Sequence, residues 1–410
     1  MLALVFIFVC TTIAWIILGA TIFSRTYSTN HALSGKVSST WGTAQEQSPP
    51  SASYKKIEIT PVTELKAGKP VVREQKSEHI IPVPLDASTI DVKLDLNHRQ
   101  RGLLWYSTYV LQFAGEYKFR NDTEERKTFD FHLPFPAQRA VYDGLLMEVD
   151  GQSLPVIAND QGADVQYEIA PGQTSVLHVA YHSQGLGSWT YKLGAGIAQV
   201  HQFALNMHTN FKHIDFADDT LSPTSKRQTP DGWQLTWQYS TLLSGFQIGM
   251  TMPEKLQPGP LAGQISFFAP VSLFFFFFLM FIITTLRNID LHPLNYFFLA
   301  CAFFAFHLLL AYLVDHISIH VAMILSSIVS IALVVSYLRL VIGIRFAAFE
   351  AGTAQLIYLV LFSYAFFWKG FTGLAITIIS IVTLFFVMQA TGRIRWSERL
   401  PMVPVAKPQR

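Results

Sequence analysis

The sequence predicts a membrane protein of the α+β class. It would have one N-terminal transmembrane helix, a large extracytoplasmic all-β domain of sandwich-like form, and a C-terminal bundle of about five transmembrane helices. Hydrophobic residues make up 50% of the chain and charged residues 14%, against about a quarter charged in ordinary soluble domains. The long apolar runs are confined to the two ends of the chain, and the middle consists of short alternating runs separated by turn signals.

Six apolar runs are long enough to cross a bilayer, which takes about 20 helical residues. They are residues 2–23, 267–286, 294–314, 321–344, 353–368 and 371–390. The fifth run is short, and only Lys369-Gly370 separates it from the sixth. These two runs are therefore expected to form a tight hairpin whose lysine reaches back to the membrane surface.

Basic residues near the ends of these runs predict the orientation. With a cytoplasmic carboxyl terminus, Arg287, Arg345 and the arginines of residues 393–399 lie inside, and Lys369 is the basic residue of the short outer loops. The first run has no basic leader and is longer than a signal-peptide core of about 7–15 residues, so it is interpreted as an uncleaved anchor. The segment between the first two runs then lies outside the cytoplasm.

The composition suggests six segments. They are a transmembrane anchor (1–27), a loose proline-bearing tether (28–54), the β-domain (55–252), a stiff proline-rich connector (253–266), a five-helix transmembrane domain (267–392) and a cytoplasmic tail (393–410). Residues 28–266 hold 20 Lys and Arg against 24 Asp and Glu, a net charge of −4, and the remainder holds 10 against 4, a net charge of +6. The basic excess therefore belongs to the membrane segments, which argues against a nucleic-acid partner. Cys10 and Cys301 both lie in apolar runs, so no disulfide is expected in the β-domain.

Ten runs in the middle of the chain are alternating or rich in β-branched and aromatic residues, which predicts strands. They are KKIEIT, STIDVKLDL, LWYSTYVLQFAGEYKF, KTFDFHL, GLLMEV, SVLHVAYHS, SWTYKL, QVHQFALNMHT, GWQLTWQYS and GFQIGMTM. Turn signals separate them: Asp150-Gly151, Pro171-Gly172 and Asp231-Gly232. The alternation places four large side chains in the core: Phe113, Phe131, Leu205 and Trp237.

The nearest approach to a metal site in the β-domain is the segment HIDFADDT. His213 and Asp215 are two residues apart, which places them about 7 Å apart on one face of a strand, and Asp218 and Asp219 follow. A solvated acidic turn is the alternative interpretation, and no metal or cofactor is predicted. The motifs HExxH, GxSxG and GxxxxGK[ST] are absent from the sequence.

Polar residues in and beside the third apolar run are the candidate functional groups of the membrane domain. His307 lies about 20 Å into its span, and Asp315 lies about 12 Å further along the helix axis. Eight residues at about 100° each place them about 80° apart around the helix, so both fit one crevice, with His316 beside Asp315. Arg339, near the cytoplasmic end of the next span, is expected to snorkel. His307 is either a neutral imidazole hydrogen-bonded to a neighbouring helix or a proton carrier.

Several segments resemble the inner-membrane CreD family. They are NFKHIDFADDTLSPTSKRQTPDGWQLTWQYS, FQIGM, PGPLAGQISFFAPVSLFFFFFLMF, LHPLNYFF and HLLLAYLVDHI, together with RGLLWYSTYVLQFAGEYKF in the first half of the chain. The resemblance is strongest over residues 185–396. It implies an inner-membrane protein connected with envelope integrity and envelope stress, often under two-component control, and it brings no established catalytic residues.

Two functional hypotheses remain open. In the first, the protein is non-enzymatic, its β-domain binds a periplasmic or cell-wall partner, and its helices hold it in the lipid bilayer. In the second, it is a transporter or intramembrane enzyme that uses His307 and the corner formed by Asp315 and His316. Transport predicts several buried polar groups and interrupted helices. The third span shows one histidine and no glycine-proline break, which favours the first hypothesis.

Overall fold

A computed structural model describes residues 2–66, 69–102, 104–138, 140–193, 200–242, 247–368 and 370–392. The chain divides into two compact units. The helical unit comprises the described residues within 1–32, 101–104 and 256–410, and the β unit those within 33–100 and 105–255. The predicted cytoplasmic tail, 393–410, lies outside the described residues.

Seven helices are found in the described part of the chain. They are α1 (Leu2–Trp41), α2 (Pro258–Phe267), α3 (Ala269–Leu286), α4 (Pro293–Leu313), α5 (Ile319–Val341), α6 (Phe346–Phe367) and α7 (Thr372–Thr391). All except α2 are long and apolar enough to cross a membrane by length and composition. The protein thus combines several apolar helices with a large β-sheet domain.

The loose tether predicted for residues 28–54 is wrong, because α1 continues to Trp41 and strands follow directly. Each serine, threonine or asparagine destabilises a helix by only about 0.5 kcal/mol relative to alanine, and tertiary contacts override that cost. Val37 is 4% exposed, and the Arg99 guanidinium lies 3.2 Å from the ring centre of Trp41 within the β unit.

The prediction of a stiff connector at residues 253–266 is wrong for its second part, which lies in helix α2. Helix α2 begins at Pro258 after the N-cap residue Gln257, so Pro258 and Pro260 both fall in its first turn. Backbone N–H groups in the first turn have no acceptor within the helix, and prolines are tolerated there for that reason. A proline-rich segment therefore begins a helix here.

Helix α6 begins seven residues before the predicted span 353–368. It contains two π-helical turns, Phe346–Ala351 and Leu356–Leu361, on either side of a short α-helical segment. The sequence boundary was misplaced because Glu350 makes the start of the helix look polar. In the structure Glu350 Oε1 lies 2.5 Å from the Arg287 guanidinium, with which it forms an ion pair.

Sixteen strands are described. They are β1 (Gln45–Gln47), β2 (Ser51–Lys66), β3 (Lys69–Val83), β4 (Leu85–Arg101), β5 (Leu104–Arg120), β6 (Lys127–Pro134), β7 (Tyr142–Val149), β8 (Gln152–Ser153), β9 (Ile157–Ala158), β10 (Gly162–Ile169), β11 (Thr174–Leu186), β12 (Ser188–Tyr191), β13 (Val200–Thr209), β14 (Ser225–Gln228), β15 (Trp233–Leu242) and β16 (Ile248–Thr251). Each of the ten predicted runs contributes to a strand. The long strand β3 was missed because it is charged and contains two prolines, a composition that is tolerated at a sheet edge.

The strands form three sheets that share one hydrophobic core. Their orders are β1-β12-β16, β3-β2-β6-β10-β9 and β14-β15-β13-β4-β5-β11-β7-β8, and side chains from all three belong to a single buried cluster. The core prediction is confirmed: Phe113 is 2% exposed, and Phe131, Leu205 and Trp237 are fully buried. The turn predicted at Asp150-Gly151 joins β7 to β8 with positive φ at both residues, as a two-residue hairpin requires.

Candidate functional site

His307 is buried on α4 and makes local contacts. It is 1% exposed, and its Nδ1 lies 2.9 Å from the carbonyl oxygen of Phe303, one turn earlier on the same helix. The expected hydrogen bond to a neighbouring helix is therefore replaced by a bond within α4. The Trp15 ring of α1 packs edge-on against the imidazole at 5.6 Å, and the Nε2 atom has no hydrogen-bond partner among the described residues.

Asp315 forms an ion pair with α1. Its carboxylate lies 3.0 Å from the Arg25 guanidinium, which also donates to the Ala311 carbonyl at 3.0 Å and lies over the Tyr312 ring. His307 and Asp315 thus both contact α1, as expected for two side chains facing one crevice, but α1 occupies that crevice. His316 is exposed, so of the three predicted residues only His307 and Asp315 meet at α1.

Arg339 lies in the last turn of α5, where it is exposed. It forms no ion pair with the acidic side chains that the structure describes. Arg287 behaves differently: it was expected only to report orientation, but it pairs with Glu350 of α6. The sequence missed this pair because nothing in the linear pattern relates residues 63 positions apart.

A polar network inside the helical unit was also missed. The Gln355 side-chain amide donates to Ser330 Oγ at 2.7 Å, and Ser330 Oγ donates to the Ala302 carbonyl at 2.7 Å. Gln355 Oε1 and Ser326 Oγ are buried without a partner in the described residues. Serine lowers hydropathy only slightly, and a single glutamine is averaged out among its apolar neighbours, so the apolar runs concealed these residues. The π-helical turns beside Gln355 mark an irregularity of a kind that often accompanies functional sites.

The weak acidic cluster does not form a metal site. His213, Asp215, Asp218 and Asp219 are all exposed on the loop between β13 and β14, and the strand predicted for them is wrong. Strand β13 ends at Thr209 because the next residue, Asn210, uses its side chain to accept from Leu96 N at 2.8 Å. In the described part of the chain, no group of three or more His, Cys, Asp or Glu side chains is placed to hold a metal ion.

The outer face of the eight-stranded sheet carries a concave site of about 400 Å³, which we name the sheet recess. Small residues form its floor: Ala114, Gly144 and Ala180. Longer polar side chains surround the floor: Asp91, Lys93, Gln112, His182 and His208. The sequence predicted none of them as a site residue, because they come from four different strands.

Strand register explains why these residues meet. Gln112 lies directly opposite His182 and Ala114 opposite Ala180 in the β5–β11 pair, and His208 lies opposite Lys93 in the β13–β4 pair. Side chains alternate between the two faces of a strand, so these positions point outward while their neighbours enter the core. The sheet recess forms because alanine and glycine occupy outward-facing positions there, between longer side chains on the neighbouring strands.

Buried contacts hold the floor of the sheet recess in place. The Tyr181 hydroxyl, on the inward side of β11, donates to Gln47 Oε1 at 2.6 Å. Burial raises the pKa of Tyr181 well above its ordinary value, so the phenol stays protonated and acts as a donor. On the outward side, Asn206 donates to Asp91 at 3.1 Å. The Lys93 ammonium forms an ion pair with Asp95 at 3.1 Å. The groups that can hydrogen-bond a ligand are therefore the two imidazoles, the Gln112 amide and the remaining N–H donors of Lys93.

Comparison with solved structures gives partial similarity to the fold. A protein from Legionella pneumophila described as nutrient-binding is 12% identical, covers 57% of this chain and 76% of its own, and has a TM-score of 0.36. An M1 zinc metallopeptidase from Deinococcus radiodurans is 12% identical, with coverages of 38% and 39% and a TM-score of 0.25. An aminopeptidase N family protein from Idiomarina loihiensis is 10% identical, with coverages of 46% and 37% and a TM-score of 0.23. Scores this low carry no functional argument.

No curated protein sequence matches the chain. A model of the family described as inner membrane protein CreD matches residues 1–397, nearly the whole chain. The match confirms the resemblance found in the sequence, and it extends over both the β unit and the helical unit: the chain belongs to the CreD family of inner membrane proteins.

Proposed function

We propose that this protein is a non-enzymatic component of the inner membrane that contributes to cell envelope integrity or to the envelope stress response. Its β unit is a periplasmic binding module for a periplasmic or cell-wall partner, and its helices anchor that module in the lipid bilayer. The family description supports an envelope role. The observation that carries the binding role is the sheet recess.

The sheet recess has features that a binding site needs and that a purely structural sheet face does not. Its floor is made of small residues in three adjacent strands, and Gln112, His182 and His208 surround it together with Lys93, whose ammonium also pairs with Asp95. Polar groups around a concavity give orientation and specificity to a bound ligand. No exposed aromatic ring is among the described lining residues, so recognition would rest on hydrogen bonds and charge.

The binding role can be tested by site-specific photo-crosslinking in intact cells. A photoreactive amino acid replaces Gln112 in the sheet recess, and a matched variant carries it at Gln166, an exposed position on β10 of the five-stranded sheet. We expect an adduct with a periplasmic protein or a wall component from position 112 only. Adducts of equal yield from both positions, or capture of lipid alone, would contradict the binding role.

The proposed orientation has its own test. Reporter fusions after Ser28 and Gly263 should give an extracytoplasmic signal, and a fusion after Trp396 a cytoplasmic one, because the basic residues at span ends favour that arrangement. A cytoplasmic signal from the β unit would overturn the scheme.

Transport or intramembrane chemistry is the second candidate function. The buried Gln355 network and the π-helical turns of α6 favour it, since transporters use interrupted helices and several buried polar groups. Two observations weigh against the site first expected for it: Asp315 is engaged by Arg25, and His316 is exposed. We therefore rank anchoring above transport for the helical unit.

A further inference from the structure

A long two-stranded ribbon extends from the five-stranded sheet. Strands β2 and β3 pair continuously from Ala52 opposite Val83 to Lys66 opposite Lys69. Strand β6 pairs with β2 only over Ser51–Tyr54, and within the described chain β3 is an edge strand. Beyond Tyr54 the ribbon therefore has only two strands. Such a ribbon is marginally stable in water unless one of its faces is packed against something.

The hydrophobic pattern of the ribbon inverts where it leaves the sheet. At the base, Ala52 is buried and Tyr54 packs against the core of the β unit. The positions that continue this inward face are polar: Lys56, Glu58 and Thr60. The outward face begins with Ser53 and Lys55 and then becomes apolar at Ile57 and Ile59. The ribbon thus presents an apolar surface on the face opposite the core of its own unit.

This surface, the isoleucine face, consists of Ile57, Ile59, Pro61 and Ile80. The three isoleucine side chains are 59%, 52% and 69% exposed, respectively, and Pro61 is exposed. Ile80 lies opposite Lys55 and diagonal to Ile57, within the reach of cross-strand neighbours. Clustered exposed apolar side chains of this kind indicate an interaction surface.

The charges around the isoleucine face indicate what it contacts. Two basic and two acidic side chains share this side of the ribbon: Lys55, Glu74, Lys76 and Glu78. Lys55 and Glu78 lie 3.9 Å apart. The surface is therefore neutral overall, whereas an anionic lipid surface or a polyphosphate requires an excess of basic residues. A surface of alternating sign is complementary to another copy of itself turned by half a rotation.

We propose that the isoleucine face packs against the isoleucine face of a second copy of this chain, forming a two-fold symmetric dimer through the ribbons. The isoleucines form the centre of the contact, and the two lysines and two glutamates of each copy form its polar rim. The contact is small. Because apolar helices confine both copies to one membrane, their effective concentration is high enough for a small contact to hold.

Disulfide trapping in native membranes tests the geometry. In a background with Cys10→Ser and Cys301→Ser, Ile59→Cys is compared with Thr60→Cys, the adjacent residue on the opposite face of the same strand. On mild oxidation we expect a covalent dimer from position 59 at roughly tenfold higher yield than from position 60. Equal yields at both positions, or no covalent dimer from position 59, would overturn the proposal.

A second measurement uses the cysteine-free full chain, labelled and reconstituted in lipid vesicles at low density. Energy transfer between copies should fall in the Ile57→Lys, Ile59→Lys double variant, with dimerisation weakened about tenfold or more. The control, Thr60→Lys with Ser77→Lys, adds the same charge on the opposite face and should retain dimerisation. A dimer that persists in the isoleucine variant would show that another surface forms it, and a wild-type chain that stays monomeric would also refute the proposal.

Discussion

The β unit and the helical unit bury polar groups in different ways. In the helical unit, many hydroxyls donate to the carbonyl oxygen four residues earlier on their own helix: Thr11, Thr12, Thr21, Thr26, Thr284, Ser327, Ser380, Thr383 and Thr391. In the β unit, several buried side chains instead find partners that are distant in sequence. Tyr181 donates to Gln47, and the side-chain amide of Asn121 donates to the carbonyl oxygen of Ile169.

This difference arises from the surroundings of each unit. In hydrocarbon an unsatisfied polar group is costly, and a helix can satisfy its own hydroxyls without a partner element. Few polar contacts then remain between helices. Single contacts such as Gln355 to Ser330 and Arg25 to Asp315 therefore help to determine which helices pack together. In the β unit, burial of apolar side chains between sheets dominates, and polar contacts fix the ends and turns of strands.

The comparison predicts the largest loss of stability in the β core. Trp237 is fully buried and its indole N–H donates to the Leu221 carbonyl, so Trp237→Ala should lower the free energy of unfolding by about 3–5 kcal/mol. Phe113→Ala, Phe131→Ala and Leu205→Ala should each cost on the order of 3 kcal/mol. Pulse proteolysis of the full chain measures the change. The exposed neighbour Gln238 provides the control, since Gln238→Ala should change stability by less than about 0.5 kcal/mol.

If the Trp237 variant resisted protease as well as the wild type does, the side chain of Trp237 would contribute little to the core, contrary to the alternation of β15.

The next effect concerns the network in the helical unit. Ser330→Ala leaves the Gln355 amide buried without its acceptor and should cost about 1–2 kcal/mol. The double variant Ser330→Ala, Gln355→Leu removes both partners and should recover most of that loss, because no polar group is then left unpaired. Thermal denaturation in detergent measures both variants. If the single and the double variant lost equal stability, the unpaired Gln355 amide would not be the cause of the loss.

A smaller effect is expected from the ion pair between α1 and α4. Arg25→Gln or Asp315→Asn should each lower stability by about 1 kcal/mol or less, since the side chains are 36% and 26% exposed and such contacts are partly screened. The charge-swapped variant, Arg25→Asp with Asp315→Arg, should recover part of this loss. Arg339→Gln, at an exposed arginine that pairs with none of the described acidic side chains, should have no effect. If the charge-swapped variant loses as much stability as the two single variants together, the two side chains do not stabilise the protein as a pair.

The smallest effect is expected at His307 and separates the two functional hypotheses. His307→Gln keeps a hydrogen-bonding group of similar reach, so accumulation and the envelope phenotype should stay near wild type, whereas His307→Leu loses the bond to Phe303 and should lower accumulation slightly. The measurement is complementation of an envelope-sensitivity phenotype at matched membrane abundance, with Asp315→Asn in parallel. An abundant but inactive glutamine variant would favour proton transfer, because an amide cannot titrate near neutral pH.

Much of the architecture was predictable because it depends on local periodicity. Hydropathy located the six apolar helices, with the largest errors at the end of α1 and the start of α6, and alternation located the ten runs that became strands. Side-chain direction follows from strand phase, so the core positions Phe131 and Trp237 could be named in advance.

The candidate site was less predictable because its residues are close in space and distant in sequence. The sheet recess depends on the register of β4, β5, β11 and β13, and a shift of one residue in any pair would turn its side chains to the other face. The pairing of Glu350 was missed because its partner, Arg287, lies at the end of another helix, α3. The local pattern around HIDFADDT suggested a strand, and the Asn210 side chain ended the ladder before it.

By itself, the sequence determined the membrane class, the division into apolar ends and a β-rich middle, the family and most of the core. These depend on composition and on periods of about two or 3.6 residues, which can be read from a single chain. Only the tertiary structure decided that α1 fills the crevice beside His307, that Gln355 meets Ser330, and that small residues of separate strands form the sheet recess. Those features depend on contacts between elements far apart in the chain, whose geometry no local pattern encodes.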